Sequence, residues 1–165
     1  MGSAAPGPQK NCRHREKPIV ALDFATPQEA RTLVASLGDT VSFYKIGLEL
    51  ASAGGLSFAQ DLIKDGKHIL LELRLHDIPA TVSRACARVA GSGATFLTVH
   101  AYPQTMRAAK LAAAGSSLRL LGVTVLTSCD DLDLAEACYA YGVRDLGAPR
   151  GAGPRSRYRR LDFVG

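Results

Sequence analysis

From Pro18 to about Leu146 the chain repeats one pattern five times: a short apolar run, a turn, then apolar residues at helical spacing. The first unit shows it most fully. Ile19-Val20-Ala21-Leu22-Asp23-Phe24 reads as a strand buried on both faces. Thr26 can cap the following helix, Pro27 suits its first position, and Glu29 completes a capping box. Ala30, Leu33, Val34 and Leu37 then share one helix face, and Gly38 ends it. Val41–Leu48 is the next strand, and Phe58–Ile63 a helix stopped by Gly66. His68–Leu75 is the third strand, followed by the stripe Ile78, Val82, Ala85 and Val89 ending at Gly91. Phe96–Ala101 and Thr105–Ala114 form the fourth unit, Leu120–Leu126 and Leu132–Tyr139 the fifth. Each unit takes 22 to 28 residues, short enough for consecutive strands to run parallel. This alternation predicts an α/β fold, a parallel sheet under helices, either doubly wound or a barrel. Periodicity alone does not choose between them, although no G-x-G-x-x-G follows the first strand, where a dinucleotide fold would place it.

The flanks do not join the rhythm. Residues 1–17 have no hydrophobic period and are expected as a disordered lead-in. Residues 147–165 are rich in Arg, Gly and Pro and are expected as a second disordered tail. The domain is therefore placed at 18–146. These flanks also hold the basic charge. Of the formal +5, residues 1–17 carry +3 and residues 147–165 carry +4, leaving −2 on the body. A groove for a phosphate backbone would need that charge on the folded part, so no nucleic-acid partner is expected.

No apolar run approaches the ~20 residues of a membrane helix, and no apolar block follows the basic N-terminus. The expectation is a cytoplasmic protein with no membrane partner. Cys12, Cys86, Cys129 and Cys138 have no close pairing or metal-type spacing with the histidines, so they are read as buried, reduced thiols and no metal is expected.

Parallel α/β folds build their active sites from polar residues at the C-terminal ends of strands. Those residues are Asp23, then Lys45, then Glu72 and Arg74 with His76 and Asp77, then His100, then Thr127 and Ser128. The third strand is the informative one. Glu72 and Arg74 are two apart, so both project from one face of an otherwise apolar strand. Burying both charges costs several kcal/mol per ion unless they pair well. A row of Lys45, Glu72, Arg74 and Asp77 would hold its own charges, as catalytic clusters do.

Five blocks in order carry a family resemblance: Val20–Asp23, Phe43–Leu50, Leu73-x-Leu75-His76-Asp77-Ile78-Pro79-x-Thr81, Leu97–Ala101 and Val123–Ser128. They resemble orotidine 5′-phosphate decarboxylases. That resemblance implies a homodimeric (β/α)8 TIM-type barrel, about five of whose eight strand–helix units are present here. It implies a carbon–carbon lyase that converts orotidine monophosphate (OMP) to uridine monophosphate (UMP), in pyrimidine biosynthesis, without metal or organic cofactor. The substrate-binding residues would be Asp23, Lys45, Thr81 and Thr127. The catalytic residues would be Lys45, Glu72, Arg74 and Asp77. Asp23 would bind the ribose, and Lys45 would join the charged network at ribose and reaction centre. Glu72 stands where the family has an Asp near the departing carboxylate, and Arg74 where a Lys protonates C6. Asp77 would reach into the partner subunit's site, Thr81 would line the substrate, and Thr127 would contact it after the fifth strand.

Two departures bear on activity. The family pattern Asp-x-Lys-x-x-Asp is here Glu72-x-Arg74-x-x-Asp77. Glu is one methylene longer, and Arg holds its proton roughly 2 to 3 pKa units more tightly than Lys. The second is length: such barrels use eight strands and about 200 or more residues, and the family's phosphate-gripping Gln and Arg lie on later segments. The expectation is an impaired decarboxylase. One alternative is an inactive remnant or pseudoenzyme. Another is a sugar-phosphate decarboxylase or aldolase of the same barrel group, whose members carry a carboxylate and Mg²⁺ where this chain has Lys45 and lack the His76–Pro79 block.

Overall fold

The first helix begins as its sequence dictates. In this computed structural model, which describes residues 18–139, Thr26 Oγ1 accepts the Glu29 N–H at 3.3 Å and the Glu29 carboxylate accepts the Thr26 N–H at 3.2 Å. The reciprocal bonds satisfy donors that the first helical turn leaves free, and α1 runs Pro27–Leu37. Its last turn closes on Gly38, at φ 53°. There Lys67 inserts its ammonium, donating to the carbonyls of Gly38 at 3.1 Å and Val41 at 3.2 Å. The expected tails at 1–17 and 147–165 lie outside the described residues.

Five strands follow the predicted order: β1 Val20–Ala21, β2 Phe43–Gly47, β3 His68–Leu75, β4 Phe96–His100 and β5 Arg119–Val123. All pair in parallel, in the order β1-β2-β3-β4-β5. This order settles what periodicity left open. A doubly wound sheet reverses its strand order at a switch point, whereas a barrel adds each strand beside the last. The longer helices that follow β2, β3, β4 and β5 are α2 Leu56–Lys64, α3 Pro79–Ser92, α4 Pro103–Ala112 and α5 Asp131–Glu136. The chain is thus an α/β fold with five parallel units of a TIM-type barrel.

The main core lies between sheet and helices. Tyr44 and Ile46 of β2, Ile69 and Leu71 of β3, and Leu97 and Val99 of β4 meet Ala30, Phe58, Leu62, Val82 and Cys86 in one buried cluster. The opposite face carries the alternate residues. At its N-terminal end Phe43 and Phe96 stack at 5.8 Å, and the Arg119 guanidinium lies 4.5 Å over Phe96. The C-terminal end of that face holds the charges.

Several boundaries differ from the sequence reading. β1 pairs over only two residues, extended by the Leu22 N–H to the Lys45 carbonyl at 2.9 Å. α3 passes through Gly91 and ends at Gly93, which takes the left-handed conformation at φ 86°. β5 stops at Val123 because its partner strand ends at His100, opposite it. α5 is shorter than expected and ends at Glu136.

Cys12 lies outside the described residues, and among the other three the cysteine reading holds for one thiol. Cys86 is buried, and its loss of solvent raises the thiol pKa to about 11. Cys129 is half-buried and Cys138 exposed, which corrects the expectation of uniform burial. A thiolate is the reactive species, so alkylation of the folded chain should modify Cys138 while sparing Cys86. Equal labelling of the two, read by peptide mass spectrometry, would contradict this packing.

Candidate active site

The first three strands bring charged side chains together, from just past the end of β1, the middle of β2 and the C-terminal half of β3. Asp23 follows β1, Lys45 lies on β2, and Glu72 and Arg74 lie on β3. Register explains the meeting: Gly47 is level with Glu72, and Ala21 with Lys45. The approach is close at Gly47, where a Cβ would stand 3.2 Å from Asp23 Oδ1 and press on that side chain.

The four groups form a line of alternating charge. Lys45 Nζ donates to Asp23 Oδ2 at 3.1 Å and to Glu72 Oε2 at 2.8 Å. Arg74 Nη2 donates to the other oxygen, Glu72 Oε1, at 2.9 Å. Glu72 is the buried centre, its side chain 8% exposed against 17% for Lys45 and 40% for Arg74. Burial pushes the Glu72 carboxyl upward, but hydrogen bonds and charge from Lys45 and Arg74 outweigh it and hold the pKa below the ordinary value. Burial likewise works against the Lys45 ammonium, while Glu72 and Asp23 more than offset it and hold its pKa up.

The backbone beneath these charges is irregular. Leu71 is level with Leu97 and Leu75 with Val99, so four steps along β3 match two along β4. Within this bulge Arg74 adopts φ 48°, a left-handed value unusual for a side-chain-bearing residue. Bulges next to active sites re-aim side chains. The expectation that Glu72 and Arg74 share a face through simple alternation is therefore met by a different route.

An open pocket of about 250 Å³ lies over the line, walled by Asp23, Lys45, Gly47, Leu48, Glu49, Glu72 and Arg74. Three expected site residues stand apart from its wall. Asp77 is exposed, its carboxylate accepting the N–H of Ile78 at 2.6 Å. The row of charges thus ends on Asp23 and not on Asp77. Thr81, on α3, accepts from Arg84 at 3.5 Å. Thr127 lies in an exposed turn four residues beyond β5.

Sequence reasoning did not mark Leu48, Glu49 or Tyr102 as part of the site, although it named His76 and His100. Leu48 and Glu49 line the pocket beside the charges. His76, His100 and Tyr102 cluster beside Arg74, with ring centroids of His76 at 5.5 Å from His100 and 4.4 Å from Tyr102. Burial, then His76 and Arg74, lower the His100 pKa. No group of three or more His, Cys, Asp or Glu among the described residues is arranged to hold a metal ion.

Comparison with known proteins agrees with this architecture. The profile of the Orotidine 5'-phosphate decarboxylase / HUMPS family matches residues 16–148. The orotidine 5'-phosphate decarboxylase of Afipia carboxidovorans is 59% identical over 136 residues, 82% of this chain and 58% of that protein. That of a Methylobacterium species is 54% identical over 144 residues, 86% of this chain and 61% of that protein. The chain thus spans about three-fifths of the length of these relatives. The crystal structure of orotidine 5'-phosphate decarboxylase from Lactobacillus acidophilus superposes with a TM-score of 0.70 at 36% identity, covering 78% of this chain and 62% of that one. Five parallel units in barrel order, a charge line centred on the buried Glu72 and these matches together make the chain a member of the orotidine 5'-phosphate decarboxylase / HUMPS family.

Proposed function

We propose that this chain decarboxylates orotidine 5′-phosphate to UMP, slowly, using the charge line as its reaction centre. The observation that carries the reading is Glu72 held between Lys45 and Arg74 beneath an open pocket. Decarboxylation breaks the bond from C6 to the carboxylate, leaves the electron pair on C6 and then needs a proton there. Glu72 presents a fixed negative charge where the substrate carboxylate would sit and destabilises it relative to departing CO₂. Arg74 supplies the cation facing the developing carbanion, and a preset array does not reorganise when that charge appears. Asp23, half-exposed at the pocket wall, suits a ribose hydroxyl, and Lys45 fixes both carboxylates. Arg74 releases a proton poorly, so water delivers the proton to C6.

Thr81 and Thr127 are assigned to substrate contact, and Asp77 to the site of a second subunit. Asp77 and its neighbour Ile78, 66% exposed, stand on the rim where a homodimer partner would meet them. No metal, cofactor, nucleic acid or membrane enters this reading; among the described residues no helix is long and apolar enough to cross a membrane. The cytoplasm, where free nucleotides are made and used, is the proposed location. The sugar-phosphate alternative loses support because Lys45 occupies the place of a metal-binding carboxylate.

The product serves as the binding probe. UMP should bind the full chain, read by calorimetry, and Lys45→Met should weaken it by about tenfold or more, since Lys45 fixes Asp23 and Glu72 together. Equal affinity in the variant would separate the pocket from the charge line and overturn the assignment.

A further inference from the structure

Arg74 owes its place to a residue on the neighbouring strand. Its N–H donates to the hydroxyl of Thr98, at 2.8 Å. Thr98 is on β4, is 1% exposed, and is one of three buried polar or charged side chains among the described residues. It sits opposite the bulge, between Leu97 and Val99, the two β4 residues that mark where the β3 register shifts. A regular ladder would satisfy the Arg74 N–H with a backbone carbonyl. Here the bulge carries that N–H away from the ladder, and a side-chain oxygen takes over.

We infer that Thr98 is a positioning residue: its buried hydroxyl pins the left-handed backbone at Arg74 and thereby aims the guanidinium at Glu72 and the pocket. A left-handed arginine is strained and persists only where its surroundings over-determine it. The N–H bond to Thr98 is the contact that fixes the backbone at that residue. The side chain then reaches Glu72 Oε1 at 2.9 Å, two residues back on its own strand. Valine at position 98 would match threonine in shape but leave the Arg74 N–H without its acceptor. The backbone would then relax toward an ordinary conformation and carry the guanidinium out of line. The functional part of this inference rests on the nucleotide reading of the pocket; the conformational part does not.

The test compares the full chain with Thr98→Val and Thr98→Ser by amide hydrogen exchange, by the Nε–H resonance of Arg74 and by UMP titration. Thr98→Val should speed exchange at the Arg74 amide by about tenfold or more, as expected when a local bond is lost. Exchange at Leu97 and Val99 should stay as it is. The Nε–H resonance should shift, and UMP affinity should fall about tenfold, in line with the sensitivity of such sites to small misplacements. Thr98→Ser, which keeps the hydroxyl, should restore all three. A protected Arg74 amide in Thr98→Val would overturn the inference, and so would fast exchange with an unmoved Nε–H resonance and unchanged UMP binding. If the unaltered chain binds no UMP, the nucleotide reading fails, while exchange and the Nε–H resonance still decide whether Thr98 positions Arg74. Should Thr98→Val not fold, Thr98→Cys, with only a weak acceptor, takes its place.

Discussion

Restoring the family's residues, Glu72→Asp with Arg74→Lys, is expected to raise the decarboxylation rate on the order of 10²-fold or more, the usual worth of a positioned proton donor. The clean setting is a completed barrel, with residues 18–139 joined to the remaining strands of the Afipia carboxidovorans relative. Both versions of that chimera have the same walls and the same phosphate grip, so the comparison isolates the pair. Lysine can give its proton to C6 and recover it, whereas the arginine cation can only face the carbanion. The shorter aspartate also draws the carboxylate back toward β3, which leaves room for the ammonium. Steady-state assays should show the gain mainly in kcat, because proton delivery matters in the transition state and not in binding. Rates within twofold of each other would mean that Arg74 is a competent replacement and that the proposed slowness has another source.

Glu72→Gln is expected to lower the stability of the full chain by about 2–3 kcal/mol, somewhat below the usual cost of breaking a buried pair, because Arg74 is partly exposed. The charge removed is the one between two cations. Gln keeps a single acceptor oxygen and turns an amide N–H₂ toward one of them, so Lys45 and Arg74 face each other across a group that can satisfy only one. Urea unfolding measures the loss. The pH dependence gives an independent check. Glu72 has a folded-state pKa below its ordinary 4.5, so its contribution is fully present above pH 4.5 and fades as pH falls through the folded value. Lys45 is raised above 10.5, so its contribution holds below pH 10.5 and fades as pH rises through the folded value. Glu72→Gln should flatten the acid limb of the stability curve. An unchanged acid limb would mean that Glu72 is not held charged in the native protein.

What could be read from the sequence follows from which forces are local. The capping box at Thr26 and Glu29 is a contract between neighbours, and it forms as written. The apolar strands and striped helices have a period that local sequence carries, so all five units were legible. Strand ends were less so. The end of β5 is set by where β4 stops offering partners, a fact about another segment, and Thr127 consequently lies beyond the strand. Of the two glycines near the end of α3, both can stop a helix; Gly93 is the one that turns left-handed, where an added Cβ would stand 3.1 Å from Ile63 of α2.

The site divides in the same way. Asp23, Lys45, Glu72 and Arg74 were identifiable because charge inside apolar strands needs an explanation. Their order in the line was not, since it depends on register, which places Gly47 beside Glu72 and lets Asp23 close the row. The bulge at Arg74 leaves no local mark, because leucine and arginine are ordinary strand residues. Thr98 did leave one: a hydroxyl in the buried run Leu97-Thr98-Val99 asks for a partner, and that partner is the Arg74 N–H.

Decarboxylation of orotidine 5′-phosphate by the charge line can be measured directly. The direct measurement incubates the purified full chain with the nucleotide labelled at its carboxylate and follows labelled CO₂ and UMP together, with and without a metal chelator. Slow, equal release of both products is expected, unaffected by the chelator and abolished by Lys45→Met. No UMP at high protein concentration, or a release that requires metal, would contradict it.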